Sequence, residues 1–105
     1  MTVESPRIKS PQEWTAEHRK FLQENNPEVL AELARSGNLD QYLQEIGSQA
    51  AERVKDGLRK RFLHPQTQAL PYLKKMEELL SHHRELEEIV RYELIHQPLK
   101  GEPTQ

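Results

Sequence analysis

The sequence contains no cysteine. A disulfide scaffold, a thiolate zinc site and a cysteine nucleophile are therefore excluded, and a reducing cytoplasm is the simplest compartment to expect. Aromatic residues make up only 6% of the 105 residues, which leaves few rings for stacking on bases. No stretch approaches the roughly 20 apolar residues that cross a bilayer. The opening Met1-Thr2-Val3-Glu4-Ser5-Pro6 has no hydrophobic signal core, so neither membrane insertion nor secretion is expected. Neither sign of charge dominates. A net charge of −2 argues against a generally basic nucleic-acid packager, while leaving room for a local basic patch.

What is present is helical periodicity. The apolar set is only 34%, but its members recur at helical spacing, which separates the chain from a disordered one. Ser10-Pro11-Gln12-Glu13 reads as a capping box with proline at the first helical position. Trp14, His18, Phe21 and Leu22 then share one helix face, up to about Asn25. Asn26-Pro27 starts a second helix with asparagine as its cap, striped by Val29, Leu30, Leu33 and Ala34. It ends at Ser36-Gly37, where glycine takes the left-handed conformation at low cost. Asn38 caps a third helix. There Leu39, Tyr42, Leu43, Ile46, Ala50, Val54, Leu58 and Phe62 form a stripe that runs to Leu63 and stops before His64-Pro65. Gly47 and Gly57 interrupt this helix and suit close helix packing or a slight bend. A connector from Pro65 to Leu70 leads to a last helix, starting at Pro71 and ending near Gln97. Its seam is Leu73, Met76, Leu80, His83, Val90 and Leu94, widened by Leu79, Leu86 and Ile89.

The predicted fold is all-α: a small helical bundle of two short helices packed on a long antiparallel helical hairpin. Residues 10–97 form the single domain, with flexible tails at 1–9 and 98–105. Two helices alone bury little surface, so the short pair is expected to cover the hairpin, and a homodimer through leftover apolar surface is compatible with so small a core.

Charge is unevenly distributed. Arg53, Lys55, Arg59, Lys60, Arg61, Lys74 and Lys75 face a single negative residue, Asp56, between positions 53 and 75. Seven minus one gives +6, which leaves −8 for the rest of the chain. In a hairpin, the end of the third helix and the start of the fourth meet at one tip. A basic tip on an acidic body suits phosphates, or an acidic groove on a protein. Cations near a helix C-terminus also offset the macrodipole, by about 0.3–1 kcal/mol each. That accounts for Arg59, Lys60 and Arg61 without a ligand, but not for Lys74 and Lys75 near a helix N-terminus. Phe62 and Tyr72 are the only rings nearby, with Phe62 expected in the core. The second and third helices imitate a helix-turn-helix. However, the third opens with Leu39, Asp40, Gln41, Gln44 and Glu45, whose acids repel phosphates.

Catalytic and metal constellations are not indicated. His83 and Glu87, like Glu78 and His82, stand four apart and offer two ligands at most. The many carboxylates, among them Glu77, Glu78, Glu85, Glu87, Glu88 and Glu93, read as a solvated helix face with partners such as Arg91. No serine-histidine-acid pattern or glycine-rich phosphate loop is present. Trp14 and Tyr42 read as core anchors.

Several short motifs together resemble one family. They are His18-Arg19-Lys20-Phe21-Leu22, Leu30 to Leu33, Ser36-Gly37-Asn38-Leu39, Tyr42-Leu43-Gln44-Glu45-Ile46 with Gln49-Ala50, and Glu88-Ile89-Val90-Arg91-Tyr92-Glu93-Leu94-Ile95. Over roughly Trp14 to His96 the chain resembles the TnpV family, small proteins carried on bacterial transposons and related mobile elements. Gly47 stands where that family usually has aspartate, and Pro71-Tyr72-Leu73 replaces a tryptophan-rich helix start. The resemblance implies a mobile-element context and a bacterial cytoplasm, and it implies no reaction and no cofactor. The expectation is a non-enzymatic accessory protein that binds a protein partner, through acidic helix faces or leftover apolar surface. Modulating a host or element-encoded nucleic-acid enzyme is one form, with the acidic body mimicking nucleic acid. The alternative is a nucleic-acid-binding factor using the seven basic residues.

Overall fold

The computed structural model describes residues 7–96. The tail expected at 98–105 and most of the one expected at 1–9 lie outside the described residues. Five α-helices follow one another: α1 (Pro11–Asn25), α2 (Pro27–Ser36), α3 (Leu39–Leu63), the single turn α4 (Pro65–Gln68) and α5 (Tyr72–Val90). A π-helical segment, Arg91–Ile95, extends α5. No strand occurs among the described residues, and the all-α class holds.

Local chemistry sets the boundaries. Ser10 Oγ accepts from the Glu13 N–H at 3.2 Å, and Glu13 Oε1 accepts from the Ser10 N–H at 2.8 Å. That reciprocal box satisfies two N–H groups that a helix start leaves without partners. Gly37 closes α2 with φ 82°. Its N–H and that of Asn38 donate to the Ala34 and Leu33 carbonyls. The two expected asparagine caps differ from the expectation. Neither Asn26 nor Asn38 makes a side-chain cap. Asn26 also ends α1, donating its N–H to the Leu22 carbonyl at 2.7 Å. Asn38 has φ −101° and ψ 0°, away from the extended geometry that aims a cap side chain at the helix.

The core is assembled by α1, α3, α5 and the π-helical segment. Trp14, Ala50, Val54, Leu58, Met76, Leu79, Val90 and Ile95 form one buried cluster. The indole N–H of Trp14 is buried without a hydrogen-bond partner. Close approach of α1 to α3 depends on Gly47, where a β-carbon would collide with Thr15 and the Pro11 carbonyl. Thr15 Oγ1 donates to the Leu43 carbonyl at 3.0 Å in the same contact. Gly57 plays the lesser role of admitting Leu86 from α5.

The short helices share the covering unequally. α1 lies along α3 and reaches the π-helical segment, whereas α2 contributes no fully buried residue. Val29, Leu30 and Leu33 are half-buried, against α1 and α3 only.

Candidate interaction site

The two ends of the hairpin are built differently. At the α1 end, His18 is fully buried, and both ring nitrogens are used. The Ile95 carbonyl, 2.7 Å from Nδ1, can only accept, so Nδ1 carries the proton. Nε2 then accepts from the Tyr42 hydroxyl at 2.8 Å. Burial pushes the His18 pKa down, with the neighbouring His96 adding to the effect against the hydrogen bond to Ile95. Phe21 stacks between this ring and that of His96.

Beside it, Arg91 donates to Glu17 Oε1 at 3.1 Å, and Lys9 pairs with the same carboxylate. Both cations also lie over the Trp14 ring, 5.4 and 5.0 Å from its centroid. Burial raises the Glu17 pKa, but the bonds from Arg91 and Lys9 outweigh it and hold the carboxyl below its usual range. The histidine–glutamate pairs noted in the sequence have other geometry. Glu78 is taken by Arg61, and His82 lies 3.3 Å from Glu85. His83 Nε2 stands 3.1 Å from Glu87 without hydrogen-bond alignment. Among the described residues, no three histidine, aspartate or glutamate side chains converge as a metal site.

The opposite end is the hairpin tip. His64 is extended (φ −64°, ψ 135°) before Pro65, as a residue preceding proline prefers. Its Nδ1 caps Gln66 at 3.1 Å. Thr67 is buried, and Gln68 Nε2 donates to the Phe62 carbonyl. One turn of helix is too short to cover the residues on either side. Phe62 is 39% exposed, Leu63 63%, Tyr72 65% and Leu73 53%. Phe62 and Leu73 were expected in the core stripe. They fall in the last turn of α3 and the first turn of α5, where the packing helix has ended.

The seven basic residues have different surroundings. Arg53 precedes the end of α3 by ten residues, about 15 Å of helix, and pairs with Glu93. Arg59 and Lys60 both engage Asp56, at 2.9 and 3.2 Å, and their hydrogen bonds hold its pKa down. Arg61 Nε donates to Glu78 Oε2 at 2.8 Å and ties α3 to α5. Among the described residues Lys55, Lys74 and Lys75 form no ion pair. Lys75 Nζ lies over the Phe62 ring, 5.6 Å from its centroid. The tip therefore combines four exposed large apolar side chains with cations, several of them already matched by acids. Sequence reasoning found the charge and Tyr72 but missed the exposure of Phe62, Leu63 and Leu73. The available signal was their position within one turn of proline-bounded helix ends.

A family model described as "Transposon-encoded protein TnpV" matches residues 1–95 of the chain. The chain belongs to the TnpV family. No curated protein and no solved structure matches it. In this TnpV chain, the residues that carried the resemblance have structural work to do. His18 and Tyr42 bond to each other, and Ser36-Gly37 forms the turn between α2 and α3. The family thus makes the chain a transposon-associated protein. No helix among the described residues is long and apolar enough to cross a membrane.

Proposed function

We propose that this TnpV-family chain is a non-enzymatic accessory protein that binds a partner protein through the tip of its helical hairpin. One observation carries the reading: Phe62, Leu63, Tyr72 and Leu73 are exposed together at one end, where burying them in an interface is favourable. Two of the four are aliphatic. A base stacks on a ring, whereas Leu63 and Leu73 are best covered by apolar side chains. Several cations are already paired with Asp56 and Glu78, which weakens the purely phosphate-binding alternative. The transposon context supports a partner among the proteins that handle the element's nucleic acid.

The test is a tagged pull-down from cell lysate, with and without nuclease, using the wild-type chain, a Leu63→Glu/Leu73→Glu variant and an Arg53→Glu control. Helix content by circular dichroism confirms that all three fold. A stoichiometric protein that persists after nuclease, and is lost only with the tip variant, is the expected result. Recovery of nucleic acid, with proteins lost after nuclease, overturns the reading in favour of the basic residues.

A further inference from the structure

The hairpin arms are longer than the helix that covers them. α3 has 25 residues and α1 has 15, about 37 and 22 Å at 1.5 Å per residue. α1 crosses α3 at Gly47, with its N-terminus directed toward the tip. No Cα of α1 comes within 8 Å of one in α5. Beyond the start of α1, the described residue that lines the place of a third helix over α3 and α5 is Ile8, itself 40% exposed. What remains is an apolar groove of about 310 Å³, walled by Lys55, Leu58, Arg59 and Phe62 of α3 and by Leu79 of α5, with Ile8 at one end. The α3 residues are spaced as one helix face, and they run from α1 to the tip.

Resting on the partner-protein reading above, we infer that this groove seats an acidic amphipathic helix of the partner, lying where α1 would continue. The floor is apolar, through Leu58, Phe62 and Leu79. Its cationic surroundings are Lys55 on the wall and Lys75 over the Phe62 ring, with Arg59 beside them bonded to Asp56. Leucines at i, i+3 or i+4 and i+7 of a docked helix meet that floor while flanking carboxylates meet the cations, the helix-in-groove mode of recognition. Charge complementarity selects this occupant over a basic helix. The shortage of rings selects it over a single nucleic-acid strand, because Phe62 is the one aromatic wall.

The probe is a 14-residue peptide of glutamate and leucine with leucines at that spacing. It is titrated into the full chain and followed by fluorescence anisotropy and by amide NMR shifts. A lysine/leucine peptide with the same leucines, a scrambled glutamate/leucine peptide and a 15-nucleotide oligothymidylate serve as comparisons. The expected result is binding of the acidic peptide alone, with shifts confined to residues 55–62 and 75–79. Its affinity should fall at least tenfold in Lys55→Glu/Arg59→Glu and in Phe62→Ala, and stay within twofold in Leu63→Ser. The inference is overturned by no binding, by shifts elsewhere, by equal binding of the lysine or scrambled peptide, or by oligothymidylate displacing the peptide. A chain beginning at Arg7 that binds the peptide tenfold more tightly also overturns it, since the chain's own first residues would then be the occupant. So does self-association in sedimentation that Phe62→Ala abolishes. If the partner captured in the pull-down is lost with Leu63→Glu/Leu73→Glu but kept with Lys55→Glu/Arg59→Glu, the tip reading stands and the groove inference fails. If neither variant loses it, both fail.

Discussion

The two ends of this hairpin share helices yet differ in how their side chains are completed. At the α1 end, three elements converge on His18, Trp14 and Glu17, and the buried groups meet hydrogen-bonding or ionic partners, the Trp14 indole N–H excepted. At the tip, two helices end together and only one turn bridges them, so four large apolar side chains remain in water. A two-helix hairpin has no interior of its own, and it becomes a core only where a third element lies on it. The buried core and the exposed apolar surface are thereby separated along one molecule.

That separation can be broken most severely at Trp14. Trp14→Ala, at a position with no solvent exposure, is expected to cost about 3–5 kcal/mol in urea denaturation, enough to unfold much of so small a domain. Gly47→Ala comes next. Its new methyl meets the Pro11 carbonyl and Thr15, and overpacking of about 1–3 kcal/mol exceeds the gain in helix propensity of up to about 1 kcal/mol. Gly57→Ala is the matched control. The obstacle there is the flexible end of Leu86, and the two terms should nearly cancel.

His18→Phe keeps a flat aromatic ring, somewhat larger than imidazole, but strands the Ile95 carbonyl and the Tyr42 hydroxyl, for a loss of about 1–3 kcal/mol. The same residue gives the sealed end a pH dependence. With its folded pKa below the ordinary value of 6.5, the native state binds fewer protons than the unfolded chain as pH falls through that value. The stabilising contribution is therefore complete above pH 6.5 and declines below it until the lowered folded pKa is passed. Urea midpoints at pH 7.5 and 5.5 should differ more for the wild type than for His18→Phe. Equal differences would show that His18 is not the group responsible. The smallest effect is expected at the tip, where Leu63→Ala and Leu73→Ala should each stay within about 0.5 kcal/mol of wild type. A larger loss would mean that the tip is part of the fold.

Most helix boundaries could be read from local chemistry. The Ser10–Glu13 box, Gly37 and the His64-Pro65 stop all act within a few residues of themselves, so no tertiary information was needed to place them. Burial was harder to read. A stripe such as Leu39 to Phe62 records which face is apolar, not how far a covering helix extends along it, and so Phe62 was assigned to a core it does not reach. Ile95 escaped for another reason. Val90 and Ile95 are both buried, yet five residues of α-helix would turn them about 140° apart. The wider π-helical turn brings them to the same side, and a search at a period of 3.6 residues passes over that arrangement. The basic residues are visible as a cluster in the sequence, but the pairing of Arg53, Arg59, Lys60 and Arg61 with Glu93, Asp56 and Glu78 depends on side-chain geometry that only the folded chain supplies.

The described residues measure 53 × 29 × 20 Å, nearly twice as long as wide. If the proposed complex forms at the tip, such a rod would act as a stalk, holding its α1 end about 37 Å, the length of α3, from the point of attachment.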